Sequence, residues 1–197
     1  MTEWWTYGLS DFLMFSPDAY WRLVARHNAA GWPAQLAGVA GAAALFLLVR
    51  RGDQAAGRAA LVLLALAWAC VAWAFHWHRY GEIFLGARWL AGAWSLQAGL
   101  LLAAAAWWPR VTAALPATRA SGFALLVAAM LYPLLGPVTG HPWSEAEAFG
   151  WMPDPTALAT VGALLALRGL RTWPRAALLV VPGLAVASGA ATRWLLA

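Results

Sequence analysis

The chain contains no lysine, a single cysteine, and no Asp, Glu, Lys, Arg or His near the middle of any long apolar run. Each absence closes off a class of function. With one cysteine, Cys70, neither an intramolecular disulfide nor a thiolate metal cluster can form, and its place inside an apolar run reads as packing. Span interiors without charge lack the ionisable groups with which proton- and ion-coupled transporters move charge. The notable interior polar groups are Gln35, Ser95, Gln97, Thr160 and Ser188. Apart from Pro133, Pro137 and Pro182, nothing marks the broken helices of such carriers. Missing too are G-x-S-x-G, H-E-x-x-H, a phosphate loop and a dinucleotide fingerprint. The opening Met-Thr-Glu-Trp-Trp has neither a basic n-region nor a small-residue cleavage site, so no signal peptide is expected.

What the chain does have is apolar residues, 63% of its 197, against 11% charged. Soluble domains hold about 45–50% and about 25% respectively, so lipid must be the solvent for most of this surface. The net charge of +5 is arranged by position. Eight of the thirteen arginines fall in three short loops: Arg50, Arg51 and Arg58; Arg110 and Arg119; Arg168, Arg171 and Arg175. Asp53 is the only carboxylate among them, and the other seven lie in the segments between. Basic loops held in the cytoplasm explain this alternation, and nucleic-acid binding does not.

The expected fold is all-α: a six-transmembrane-helix bundle of three helical hairpins. An N-terminal extracytoplasmic and interfacial segment covers residues 1–31, and the membrane domain covers 32–197. The spans run over about 32–49, 59–76, 89–108, 121–138, 156–170 and 176–196, most with the 17–25 residues that cross a ~30 Å hydrocarbon core. The fifth has a clean apolar run of only Ala157–Leu167. Its basic loop argues for crossing, because a re-entrant segment would strand those arginines outside. Arg193 is placed to snorkel from the end of the sixth. Both termini then lie on the extracytoplasmic side, with a long loop there between the fourth and fifth spans. Trp108-Pro-Arg110 and Trp173-Pro-Arg175, like Gln35-Leu-Ala-Gly38 and Gln97-Ala-Gly99, hint at a repeat. Small residues four apart, such as Gly38 with Ala42 and Gly162 with Ala166, permit close helix approach.

Ser16 and Pro17 suit the N-cap and first position of a helix carrying Tyr20, Leu23 and Val24 on one side and Arg22 and Arg26 on another, an interfacial pattern. Trp4, Trp5, Trp21, Trp107, Trp108 and Trp173 are expected anchors at the membrane interfaces. In the long loop, Ser144 and Glu147 fit a capping box, while Asp154 and Pro155 fit the N-cap and first position of the fifth span.

All four histidines, His27, His76, His78 and His141, fall on the outer side. With Glu82 and Glu145 they make that face the place for chemistry. His76, His78, Glu82, His141 and Glu145 are the candidate acid, base or catalytic groups. His76, His78, His141 and Glu145 are candidate ligands for Zn²⁺ or Cu²⁺, and His76 with His141 could hold haem. An α-helix sets His76 and His78 about 200° apart, against joint chelation. The bland alternative is interfacial histidines bonded to loop carbonyls or water.

Three stretches carry a resemblance: Glu3-Trp-Trp-Thr-Tyr7 with Leu9-Ser-Asp-Phe-Leu-Met-Phe-Ser-Pro17; Trp32-Pro-Ala-Gln35; and His141-Pro-Trp-Ser-Glu-Ala-Glu-Ala-Phe-Gly150 leading to Pro153-Asp-Pro-Thr156. The chain resembles a family of small bacterial integral membrane proteins classed as a domain of unknown function. That resemblance implies a multi-pass protein of the bacterial inner membrane and brings no activity. The leading expectation is a non-catalytic accessory subunit or binding protein whose outer face meets a partner or small ligand. Its alternatives are a passive channel or carrier, using a polar path through Gln35, Gln97 and Thr160, and a membrane enzyme with a His/Glu site. Expected partners are the lipid bilayer, other membrane subunits or a second copy of the chain.

Overall fold

A computed structural model of the chain describes residues 16–107, 116–167 and 172–196. The protein is all-α, with no strand among the described residues. Its elements are α1 (Pro17–Ala30), α2 (Ala34–Arg51), α3 (Gln54–Cys70), α4 (Ala87–Ala106), α5 (Pro116–Leu131), α6 (Leu135–Val138), α7 (Pro153–Ala166) and α8 (Thr172–Leu196). A nine-residue π-helical stretch, Val71–Arg79, continues α3, and a 3₁₀ turn, Tyr80–Glu82, ends it.

Among the described residues, five helical stretches are long and apolar enough to cross a membrane: Ala34–Arg51, Gln54–Glu82, Ala87–Ala106, Thr118–Val138 and Pro174–Trp194. The expected count of six is corrected at the fifth. There α7 has 14 residues, which at 1.5 Å each reach about 21 Å, short of a ~30 Å core. Nine of them are buried, and α7 packs against α2, α3, α5 and α8. Hydropathy does not distinguish a helix solvated by lipid from one solvated by other helices. Arg168 and Arg171, on which the expectation leaned, lie outside the described residues.

Small residues explain how α7 fits. Gly122 of α5 and Gly162 of α7 meet backbone to backbone: a Cβ on Gly122 would stand 2.6 Å from the Gly162 carbonyl oxygen and 2.7 Å from the Ala166 nitrogen. On the opposite side the Trp68 indole, stacked on Trp94 with ring centroids 3.9 Å apart, donates to Thr160 Oγ1 at 2.8 Å. Thr160 passes its own proton to the Thr156 carbonyl at 2.7 Å. The Trp68 and Thr160 donors are thereby both satisfied within the bundle, as a low-dielectric interior requires.

Helix α1 begins as its sequence indicates, with Ser16 Oγ accepting from the Ala19 amide at 3.3 Å. It buries Leu23, Val24, His27 and Asn28 and leaves Arg22 and Arg26 exposed. Asn28 clamps the long loop, its amide donating to the carbonyls of Ser144 and Ala146 at 2.8 Å each. Gln35 in turn donates to the Asn28 carbonyl at 2.8 Å.

Two expected caps are absent. Residues Trp143–Glu145 form a 3₁₀ turn with no side-chain cap, and Glu147 is buried elsewhere. The N-cap of α7 is Met152, with Pro153 at its first position, so Asp154 lies one residue inside the helix and its side chain is released for another partner. Of the expected interface anchors, Trp107 is 81% exposed, whereas Trp21 is half-buried against His141. Trp4, Trp5 and Trp108, and the side chain of Trp173, lie outside the described residues.

Candidate functional site

The π-helical turn after Cys70 builds the site. Its i→i+5 bonding adds a residue to each turn and resets which side chains face inward, as such turns often do at functional sites. Phe75 and His76 turn into the bundle while Trp77 and His78 stay outside. His76 then lines a cavity of 600 Å³ bounded by this turn, α4, α8 and the start of α7. Much of the wall is apolar and aromatic, from Phe75, Tyr80, Phe84, Trp94 and Val181. Leu90 of α4 and Leu184 of α8 belong both to the wall and to the exposed outer surface, so the cavity opens sideways between those helices.

His76 is 4% exposed, and neither ring nitrogen has a hydrogen-bond partner among the described residues. Its ring lies 5.0 Å from that of Trp94 and 6.0 Å from that of Tyr80, centroid to centroid. A buried imidazole with two unsatisfied nitrogens forfeits hydrogen bonds it would make in water.

Asp154 and Arg193 line the same cavity. Arg193 Nε donates to Asp154 Oδ2 at 3.2 Å, and its Nη2 lies 2.9 Å from Glu147 Oε1 in an ion pair. Tyr132 donates to the same Asp154 oxygen at 3.0 Å. The guanidinium also sits over the rings of Tyr132, at 4.9 Å, and Trp21, at 5.8 Å. One arginine thus faces two carboxylates. Burial, followed by the charge of Asp154, pushes the Glu147 carboxyl up to about 7, against the opposing pull of Arg193. Burial and then the Glu147 carboxylate hold the Tyr20 phenol, on the cavity wall, well above its ordinary range. Gly189 leaves room for this approach, since a side chain there would collide with the Asp154 carboxylate.

The other sequence-derived candidates are dispersed. His141 Nδ1 lies 2.8 Å from Glu145 Oε2, and its ring packs on Trp21 at 4.1 Å. His78 is exposed, edge-on to Trp73 at 4.5 Å. Glu82 is exposed and meets Arg79 Nη1 at 3.4 Å. None of these four lines the cavity with His76. Among the described residues, no three of His, Cys, Asp or Glu come close enough to hold a metal ion. His27, stacked on Trp151 at 4.2 Å with Nε2 3.3 Å from its carbonyl oxygen, is structural. Burial pulls its pKa down to about 4.

Sequence reasoning missed Glu147, Asp154, Arg193 and Tyr132 as one cluster. Two were assigned to caps and one to snorkelling. The available signal was a lone arginine ending an apolar helix while the long loop carried unmatched carboxylates. Gln35, Gln97 and Thr160 form no group: Gln97 donates to the Leu178 carbonyl at 3.0 Å, and the others bond as described above.

No curated protein and no solved structure matches the chain. Residues 17–193 match a family of unknown function, DUF6064, and the chain belongs to that family.

Proposed function

We propose that this family member is a multi-pass protein of a bacterial inner membrane that binds a small lipid-phase molecule without transforming it. In this reading its long helices pair as hairpins across the basic loops, with both termini extracytoplasmic, as the placement of the arginines favours. The ligand enters sideways between α4 and α8 and docks its polar head between His76 and the Asp154–Arg193 pair.

The observation that carries the reading is His76, whose two buried, unpartnered nitrogens stand on the wall of a cavity of ligand size. The charge arrangement narrows the ligand. Arg193 is already matched by two carboxylates, so an anionic head would meet no spare positive charge. A neutral amphiphile with hydroxyl or amide donors, and an apolar body for the aromatic wall, fits best. Gln35, Gln97 and Thr160 are each committed to a separate bond, which weighs against a continuous polar path for a channel.

Native mass spectrometry of the full chain, gently extracted from its host membrane, tests this. The wild type is expected to carry a small molecule that His76→Leu loses while remaining folded. A wild type carrying nothing, or a His76→Leu variant carrying the same molecule equally, would refute the proposal.

A further inference from the structure

A second cavity, of 420 Å³, shares no residue with the first and lies between α1 and the end of the π-helical turn. Its wall carries Arg22, Arg26 and Arg79 against one carboxylate, Glu82. Arg22 and Arg26 are one turn apart on α1 and repel each other. Neither forms an ion pair among the described residues. Arg79 meets Glu82 only at 3.4 Å, and its Nε is buried with no hydrogen-bond partner among the described residues. Three arginines on the wall of one pocket, with a buried N–H left over, form an arrangement that an anion completes. The floor beside them is apolar, from Leu23 and Ile83.

We propose that this pocket binds a phosphate group. Guanidinium forks match phosphate oxygens two at a time, and the three cations exceed the single carboxylate by two charges, which a free phosphate dianion balances in full and a phosphodiester in part. The group has two possible sources: the phosphodiester of an anionic lipid headgroup, whose glycerol would rest on Leu23 and Ile83, or a free phosphate.

The experiment is native mass spectrometry of the full chain in detergent, titrated separately with dihexanoyl phosphatidylglycerol and with inorganic phosphate. Binding of the lipid but not the ion assigns the headgroup, and binding of the ion identifies free phosphate as sufficient. In either case Arg22→Gln/Arg26→Gln is expected to weaken binding by about tenfold or more, the loss that goes with removing charge-assisted bonds. Arg79→Gln should do the same, but Arg79 is partly buried, so the exposed α1 pair is decisive. Failure of the wild type to bind either probe, or equal binding by the α1 double variant, overturns the proposal.

Discussion

Arg193, in the last turn of α8, holds Glu147 of the long loop at 2.9 Å and so ties the end of the chain to the segment that precedes α7. Glu147 is 3% exposed and Asp154 lies close by, so this one guanidinium balances an unusual amount of buried negative charge. Removing one partner of such a pair costs far more than the pair contributes net, because the other charge is left desolvated. Arg193→Gln should therefore lower stability by about 3–5 kcal/mol at pH 8, and Arg193→Gln/Glu147→Gln should recover part of the loss. Denaturant titration of both variants in detergent checks this. A single variant as stable as wild type would show that the pair is exchanged for water.

Glu147 and His27 bias stability in opposite directions with pH. The Glu147 carboxyl stands raised from 4.5 to about 7 in the fold, so the folded state holds its proton more tightly, and that stabilisation is lost as pH rises from about 4.5 through about 7. His27 stands lowered from 6.5 to about 4, so its contribution is lost as pH falls from about 6.5 towards 4. Glu147→Gln should gain on wild type as pH rises across 4.5–7, and His27→Phe should gain as pH falls across 6.5–4. Melting temperatures of the three proteins between pH 4 and 8 read out both slopes. Parallel curves would mean that neither group is shifted.

At the α5–α7 crossing, Gly122→Ala and Gly162→Ala each place a methyl under 3.0 Å from opposing backbone, where no flexible side chain can yield. Each should destabilise by about 1–3 kcal/mol, the usual cost of overpacking. Because the two glycines face each other, the double variant should depart from additivity. A double-mutant cycle by denaturant titration measures the departure.

Thr160→Val removes the acceptor for the Trp68 indole at an otherwise filled position. Inside a bundle of this kind such a bond is worth about 0.6–2 kcal/mol, and that loss is expected in thermal melts. A change near zero would mean that the indole finds another acceptor.

His76→Phe should behave in the reverse way. Without ligand the imidazole forfeits two hydrogen bonds, so replacing it with an apolar ring of similar size should raise stability by about 1 kcal/mol in protein stripped of bound molecules. If ligand occupies the wild type, the difference should shrink or reverse when the ligand is retained. Melting curves before and after stripping separate the two cases.

The N-cap at Ser16, the amphipathic split of α1 and four of the long helices were legible in the sequence, because caps and apolar periodicity act within a few residues. The second long helix was recognised but stopped at residue 76, because a π-helical extension has no compositional mark. The fifth apolar run was read as a crossing, because Ala157–Leu167 has the same hydropathy whether its neighbours are lipid or α5 and α8. His76 was singled out on composition, and the structure places it apart from His78, Glu82, His141 and Glu145.

By itself, then, the sequence determined a helical chain with several stretches long and apolar enough for a bilayer. That follows from transfer free energies summed over local windows. The tertiary structure alone decided that α7 is internal, that His76 turns inward, and that Arg193 meets Glu147 and Asp154. Those outcomes depend on contacts between residues far apart in the chain, where local propensity is silent and a capping carboxylate cannot be told from one half of a buried ion pair.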